Sequence, residues 1–264
     1  MKFSQLLSKC LSKKLRARLG YGVEIRDFEF DPSKDVAADI TAKYGFEDDL
    51  LDLFVNNKER PVHKWHHYIP IYDRYFSRFR GTNVRFLEIG VFRGGSLQMW
   101  RNYFGDKATI FGIDSDPNCA SLDGDSGSVR IGSQDDAEFL NRVIEEMGGV
   151  DIVLDDGSHQ MKHLIKTFRT LFPLLHQSGV YMAEDLCTSY WRSYGGGYGR
   201  RANFFSFLSR LMNDMHHWWH VHPINYPDLT DMISGIHMHD SIAVFEKGKA
   251  FRPTHSEIPR SSIQ

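Results

Sequence analysis

The stretch VRFLEIGVFRGGSLQMW, residues 84–100, joins an apolar run to an amphipathic segment through a glycine-rich turn. The apolar run at 84–90 is short and ends in a glycine, which is typical of a buried strand. The segment at 96–104 predicts a helix. A glycine-rich turn between strand and helix lets backbone approach a ligand closely and directs helix N–H groups at it. The stretch therefore predicts a strand–turn–helix unit that binds a ligand at its turn.

The same alternation continues along the chain and decides the fold class. Buried strands are predicted at 109–114, 129–133, 150–156 and 179–186, and helices at 137–147, 162–175 and 204–212. Short apolar strands that alternate with amphipathic helices indicate βαβ units and a parallel sheet covered on both faces. The segment 236–248 predicts one or two closing strands at an antiparallel edge. We therefore predict an α/β fold, a doubly wound and mostly parallel sheet over about 82–248.

The part of the chain before the sheet has a weaker pattern. Residues 21–60 are acidic and mixed, and we predict that they form an N-terminal cap of short helices. The aromatic-rich segment 64–79 predicts a helix with Tyr68, Tyr72 and Phe76 on one face. The predicted division is a helical or irregular cap at 1–63, a ligand-binding domain at 64–248 and a tail at 249–264.

Composition limits the class of protein. The chain has 264 residues, of which 41% are hydrophobic and 25% charged, as in ordinary globular proteins. The net charge of −2 predicts no nucleic-acid partner. Three separated cysteines make no disulfide framework, which favours a cytoplasmic location. No apolar run approaches the roughly 20 residues of a transmembrane helix. The basic segment 1–20 has helical spacing and fits a solvated helix, a peripheral membrane contact or a partner contact.

Polar residues follow the predicted strands, at the edge where ligands bind in doubly wound sheets. Asp114 ends the second strand, where an acid accepts hydrogen bonds from the ribose of a nucleoside-containing cofactor. The glycines at 90, 94 and 95 do not match the G-x-G-x-x-G spacing of dinucleotide-binding turns. The pattern therefore indicates a nucleoside-containing cofactor and argues against NAD.

Three carboxylates follow the fourth and fifth strands. Asp156 ends one, and the pair Glu184 and Asp185 ends the next. Acids that converge on one crevice cannot all ionise cheaply without a cation. Oxygen ligands favour a hard ion, and a set of only three leaves room for water, which suits Mg²⁺. The sequence therefore predicts a divalent-metal site formed by these three residues.

The motifs resemble a known family. The pattern E-x-G-x-x-x-G-G at 88–95, followed by Asp114, resembles the class I S-adenosylmethionine-dependent methyltransferases. The motifs DDGSH at 155–159, AEDL at 183–186 and SYW at 189–191 resemble the metal-dependent sugar O-methyltransferases of macrolide biosynthesis and the related mycobacterial saccharide methyltransferases. The resemblance covers most of 64–248. It implies a Rossmann-like methyltransferase fold, S-adenosylmethionine as cofactor, Mg²⁺ or another hard divalent cation, and a sugar or glycoside hydroxyl as methyl acceptor.

The resemblance also implies roles for individual residues. His159, three positions after the metal ligand Asp156, is expected to be the general base. Tyr190 and Trp191 are expected to stack on the sugar, because aromatic rings suit its flat apolar faces. Asp155 is expected to face away from Asp156, toward the methionine part of the cofactor or the next helix. The expected cofactor-binding residues are Glu88, Gly90, Gly94, Ser96, Asp114, Ser133, Gln134, Asp155, Tyr68 and Tyr72.

Two other functions remain open at this point. An oxidoreductase of the related cephalosporin-hydroxylase-like group would need an iron site with two histidines and one carboxylate, and only His159 is evident. A non-catalytic nucleotide-binding module would not need the acids or that histidine. We expect an enzyme, a homo-oligomer that acts on a sugar or glycoside as a Mg²⁺-dependent O-methyltransferase.

Overall fold

A computed structural model describes residues 28–258. Its strands are β1 Arg85–Ile89, β2 Thr109–Asp114, β3 Ser128–Ile131, β4 Val150–Asp155, β5 Leu175–Ala183, β6 Ile233–His239 and β7 Ile242–Lys247. They form one seven-stranded sheet in the order β3-β2-β1-β4-β5-β7-β6. Strands β1 to β5 pair in parallel, and β7 is antiparallel to both β5 and β6. The predicted doubly wound, mostly parallel sheet with an antiparallel edge pair is confirmed.

Helices cover both faces of the sheet. They are α1 Val36–Tyr44, α2 Asp49–Val55, α3 Tyr68–Phe76, α4 Gly95–Phe104, α5 Ala137–Met147, α6 Met161–Leu171 and α7 Phe204–Met215. One hydrophobic cluster joins the sheet to α5, α6 and α7. The other joins it to α1 through α4 around the fully buried Trp100. In the described part of the predicted cap, α1 and α2 pack into the core of the sheet.

Two predicted helices differ from the observed ones at their ends. The helix predicted at 64–79 begins only at Tyr68, and residues 61–65 before it are not helical. The helix predicted at 162–175 ends at Leu171, and β5 already begins at Leu175. Pro173 accounts for the early end, because proline has no N–H to continue a helix.

Some predictions from sequence fall outside the region described. The basic segment 1–20 lies before residue 28, so its helix and its contacts stay predictions. Within residues 28–258, no helix has the length and apolar character needed to cross a bilayer.

The turn between β1 and α4 is built around Gly90 and Asp114. One Asp114 carboxylate oxygen accepts the N–H groups of Val91 and Phe92, each at 3.0 Å. This ties the turn to the end of β2. Gly90 has a φ of +95°, and a Cβ added there would lie 2.2 Å from the backbone oxygen of Asp156. The turn can therefore approach the end of β4 this closely only with glycine.

Replacing Gly90 with alanine should destabilise the fold by several kcal/mol. The new methyl group would meet backbone rather than a movable side chain, in addition to the strain of about 1–3 kcal/mol for a positive φ. Urea denaturation measures the change. G105A is the matched control, because Gly105 also has a positive φ, of +84°, but nothing lies within 4 Å of the added Cβ. Equal losses in both variants would show that the contact with Asp156 does not require glycine.

Candidate active site

A cavity of about 480 Å³ opens at the carboxyl ends of the parallel strands. Its walls are the β1–α4 turn, the end of β2, the loop after β4 and the non-helical segment 61–65. The strand order reverses between β1 and β4, and such reversals are where doubly wound sheets bind ligands. The volume is in the range of small-molecule sites.

Sheet pairing brings the distant acids together at one end of this cavity. Asp155 pairs with Ala183 in the parallel β4–β5 ladder, so the residues that follow each strand are neighbours. The carboxylates of Asp156 and Asp185 and the imidazole of His159 each offer a ligand atom within 4.8 Å of the others. The His159 Nε2 atom lies 3.8 Å from an oxygen of each carboxylate. We call Asp156, His159, Glu184 and Asp185 the acid cluster.

Lys64 places its ammonium group in this acid cluster. Its Nζ atom donates to Asp156 Oδ2 at 2.6 Å and to Glu184 Oε2 at 3.0 Å. The other Glu184 oxygen accepts from the Tyr72 hydroxyl at 2.6 Å. Burial raises the pKa of Glu184 well above its usual range, and the nearby Asp156 adds to the effect. Burial alone would lower the pKa of Lys64, but the surrounding carboxylates outweigh it and raise that pKa.

Asp185 is oriented by donors that flank the start of α3. Its Oδ1 atom accepts from Trp65 Nε1 at 3.0 Å and from the Tyr68 hydroxyl at 2.8 Å. Its Oδ2 atom is the one near His159. Asp185 and His159 have φ values of +52° and +53°, and Phe92 in the β1–α4 turn has +49°. Left-handed backbone costs a non-glycine residue roughly 1–3 kcal/mol and concentrates at functional sites.

The donor set of the acid cluster fits a hard divalent cation. Three carboxylates supply the oxygens that such ions prefer, and the cluster already surrounds one positive charge, the ammonium of Lys64. Within residues 28–258, the potential metal-binding group contains one histidine and two carboxylates. The two-histidine iron site expected for a hydroxylase is not found among these residues.

Comparisons with known proteins identify relatives of this chain. It is 42% identical over 197 residues to the 8-demethyl-8-(2-methoxy-alpha-L-rhamnosyl)-tetracenomycin-C 3'-O-methyltransferase of Streptomyces olivaceus, covering 70% of this chain and 50% of that protein. It is 36% identical over 200 residues to the mycinamicin VI 2''-O-methyltransferase of Micromonospora griseorubida, covering 70% and 49%. The structure of MycE methyltransferase with Mg, SAH and mycinamycin VI superposes with a TM-score of 0.66 at 30% identity, covering 82% and 54%.

This chain has the class I methyltransferase fold and resembles the sugar O-methyltransferases. It spans about half the length of the curated relatives it matches. No protein-family model matches it.

The methyltransferase fold brings six of the ten predicted cofactor residues to the cavity wall. They are Tyr68, Gly90, Ser96, Asp114, Ser133 and Gln134. Gly94 is buried in the β1–α4 turn with a φ of +75° and is not part of the wall.

Glu88 and Tyr72 are buried and neither lines the cavity, so their roles in cofactor binding stay predictions. Tyr72 instead holds Glu184, as described above. The Glu88 carboxylate accepts from Ser96 Oγ at 2.8 Å and from Trp100 Nε1 at 3.3 Å, which ties β1 to α4. Sequence spacing identified Glu88 as the end of a strand but did not show which way its side chain points.

Asp155 is buried as well, and its contact with the cofactor stays a prediction. Its fully buried carboxylate accepts from the Tyr181 hydroxyl at 2.5 Å and from Gln134 Nε2 at 3.1 Å. It neither lines the cavity nor caps α6, whose first turn has no side-chain cap. The Gln134 Oε1 atom accepts the N–H of Ser158 at 2.6 Å. Asp155 and Gln134 therefore position the loop that carries His159, and burial raises the pKa of Asp155 to about 6.

The predicted substrate residues are not part of the cavity wall, and their contact with a sugar stays a prediction. Tyr190 is 46% exposed and stacks on Tyr198, and neither Tyr190 nor Trp191 lines the cavity. The ring of Tyr194 is the aromatic side chain near His159, at 6.4 Å between ring centroids, and Trp191 packs beside it at 5.8 Å. Sequence reasoning missed Tyr194, because the short helical turns here have no periodicity that assigns a face.

The contacts of Lys64 and Trp65 with the acids were also missed. Periodicity placed Lys64 at the start of a helix, whereas it lies in the non-helical segment before α3. One feature of the sequence could have indicated these contacts. The stretch KWHHY at 64–68 is polar and aromatic and lies next to a strongly apolar helix face.

Glu88→Gln should change how stability depends on pH. Burial raises the pKa of Glu88 from 4.5 to about 7. Between these values the folded protein keeps a proton that the unfolded chain has lost, so ionisation opposes folding as the pH rises. The unfolding free energy of the wild type should therefore fall relative to that of E88Q, by at most about 1.4 kcal/mol per pH unit.

Urea denaturation in EDTA at several pH values across this window measures the difference. The variant E145Q, at an exposed position of α5, controls for removal of a carboxylate as such. Parallel pH profiles for the wild type and E88Q would contradict the raised pKa of Glu88.

Proposed function

We propose that this chain is an O-methyltransferase that uses S-adenosylmethionine and a hard divalent cation, preferably Mg²⁺, to methylate a sugar or glycoside hydroxyl. The observation that carries the proposal is the acid cluster at the wall of the cavity beside the β1–α4 turn. The cavity would take the cofactor, and the acids would take the metal that orients the acceptor.

Comparisons support the choice of substrate class. The matched relatives are named as O-methyltransferases of rhamnosyl and macrolide compounds, and the MycE structure contains Mg, SAH and mycinamycin VI. SAH is the product that remains when S-adenosylmethionine has given up its methyl group. Since the chain spans about half of these relatives, their activity and substrates enter here as support for a proposal.

The acid cluster suits the chemistry of this reaction. S-Adenosylmethionine supplies an electrophilic methyl group, so the poor nucleophile is the acceptor hydroxyl. Asp156, Glu184 and Asp185 would hold the metal, which when bound lowers the pKa of the hydroxyl and fixes its direction. Trp65 and Tyr68 orient Asp185, and such supporting hydrogen bonds keep a ligand in place before the metal arrives.

His159 would accept the proton of the acceptor hydroxyl. Its Nε2 atom faces the carboxylates at 3.8 Å, and its buried Nδ1 atom has no hydrogen-bond partner within residues 28–258. The loop of Ser158 and His159 is held through Gln134 to the fully buried Asp155, which limits movement of the ring. A fixed base loses little entropy when proton transfer begins.

Removal of the metal should abolish methyl transfer but spare cofactor binding. We expect calorimetry to detect binding of S-adenosylhomocysteine with or without EDTA, and turnover of a rhamnoside panel only with Mg²⁺. Asp185→Ala should lose Mg²⁺ affinity, because it removes one of the clustered carboxylates.

The variant D125A, at an exposed acid outside the cavity, is the control for the loss of one carboxylate. Full turnover in EDTA would contradict the proposed role of the metal. Tight binding of NAD⁺ without binding of S-adenosylhomocysteine would contradict the proposed cofactor.

His159→Ala should lower kcat by about 10²–10⁴-fold while Mg²⁺ and cofactor affinities stay near wild type, because a general base acts in the chemical step. Single-turnover kinetics and calorimetry separate these effects. The exposed His222 lies outside the cavity and the acid cluster, so H222A should keep kcat near the wild-type value.

Two outcomes would reassign His159. A near-normal kcat in H159A would leave it without a role in proton transfer. Loss of Mg²⁺ affinity as the main defect would make it a metal ligand, in line with its place in the group of potential ligands.

A further inference from the structure

Lys64 is a buried cation in the middle of the acid cluster. Its side chain is 4% exposed, and its ammonium is within hydrogen-bond distance of Asp156 and Glu184, of which Glu184 is 1% exposed. The ring of Tyr72 lies 5.6 Å from Nζ. A buried ammonium and buried carboxylates each cost several kcal/mol when unpaired, so each stabilises the other here.

A metal ion held by all three carboxylates would compete with this ammonium for Glu184 Oε2, because the other Glu184 oxygen accepts from Tyr72. Ligand oxygens lie about 2.0–2.6 Å from Mg²⁺ or Ca²⁺. Asp156 Oδ2 and Glu184 Oε2 both point at Nζ, so Lys64 occupies the space in front of them. Two positive charges this close also repel each other strongly.

We propose that Lys64 is an internal counter-ion of the metal site, which holds the carboxylates together without metal and is displaced when metal binds. The inference rests on the proposed metal site and deepens it. Lys64 sets the metal affinity, because each binding event must first break its two charged hydrogen bonds.

The position of Lys64 in the chain makes such an exchange feasible. It lies in the non-helical segment 61–65, so its movement breaks no helix or sheet hydrogen bonds. Trp65 and Tyr68 keep their separate hydrogen bonds to Asp185. The same segment forms one wall of the cavity. It packs closely against the start of α4, because a Cβ added at Gly95 would lie only 2.4 Å from the Pro61 oxygen. Displacement of Lys64 therefore changes the wall beside the cofactor cavity.

Lys64→Met should bind Mg²⁺ about tenfold more tightly than the wild type, or better, because no cation has to leave. Methionine keeps an unbranched apolar side chain and removes the charge. In EDTA the variant should melt below the wild type, since the acids lose their counter-ion, and Mg²⁺ should raise its melting temperature more than that of the wild type. Calorimetry with MgCl₂ alone and thermal unfolding measure both effects. The variant K166M, at an exposed position of α6, is the control.

A second measurement uses the unaltered protein and does not depend on the folding of a variant. Reductive methylation followed by mass spectrometry reports how accessible each lysine is. We expect Lys64 to be protected in EDTA and labelled faster at saturating Mg²⁺, while labelling of the exposed Lys166 stays constant. Unchanged protection of Lys64 at saturating Mg²⁺ would overturn the proposal.

The outcomes separate this inference from the proposed function. If both proteins bind Mg²⁺ and folded K64M binds it equally or more weakly, Lys64 supports the site and does not compete for it. If neither the wild type nor K64M binds Mg²⁺, the metal site itself is refuted, and the exchange with it.

Discussion

The close approach of carboxylates at the ends of β4 and β5 is the constraint on which the rest of this structure depends. Parallel pairing puts Asp156 and Glu184 side by side, and Glu184 is buried. Their repulsion and lost hydration must be offset by donors. Lys64 and Tyr72 supply these donors from the segment that precedes the sheet in the chain. Charge and hydrogen bonding in the cluster therefore hold the segment of Lys64 and Tyr72 against the carboxyl ends of the strands. The apolar packing of α3 adds to this.

The cavity wall and the acid cluster are parts of one rigid arrangement. Gly90 allows the β1–α4 turn to contact the backbone of Asp156, and Asp114 holds the same turn against β2. On the other side, buried Asp155 fixes Gln134, which holds the loop before His159. A change in any of these contacts moves both the site for the cofactor and the groups proposed to act on the acceptor. Such preorganisation is what a methyl transfer needs, because the reacting atoms must be aligned before attack.

The surroundings of His159 combine the ordered sheet with irregular parts of the chain. His159 itself is held by the loop after β4, whereas the nearest aromatic ring, Tyr194, comes from short helical turns after β5. Tyr190, four residues earlier, turns outward to stack on Tyr198. The sheet therefore fixes the groups proposed to react, and irregular segments supply the aromatic surface beside them.

The sequence by itself determined the α/β class, the mostly parallel sheet and the positions of Asp156, Glu184 and Asp185 at strand ends. These follow from local patterns, because alternation of apolar runs reports strands and a residue that directly follows a strand must lie at the edge of the sheet. The glycine spacing also argued against a dinucleotide-binding turn. All of these properties depend on residues close together in the chain.

Only the tertiary structure decided which side chains meet at that edge. Lys64 contacts Asp156 across 92 residues of chain and Glu184 across 120, and no local pattern encodes such a pair. Glu88, Asp155 and Tyr72 lay in the expected segments, but their side chains point into the interior. Burial of a polar group depends on whether distant donors are available to satisfy it. The sequence therefore located the acids, and packing between distant segments decided which of them face the cavity and which cation they hold.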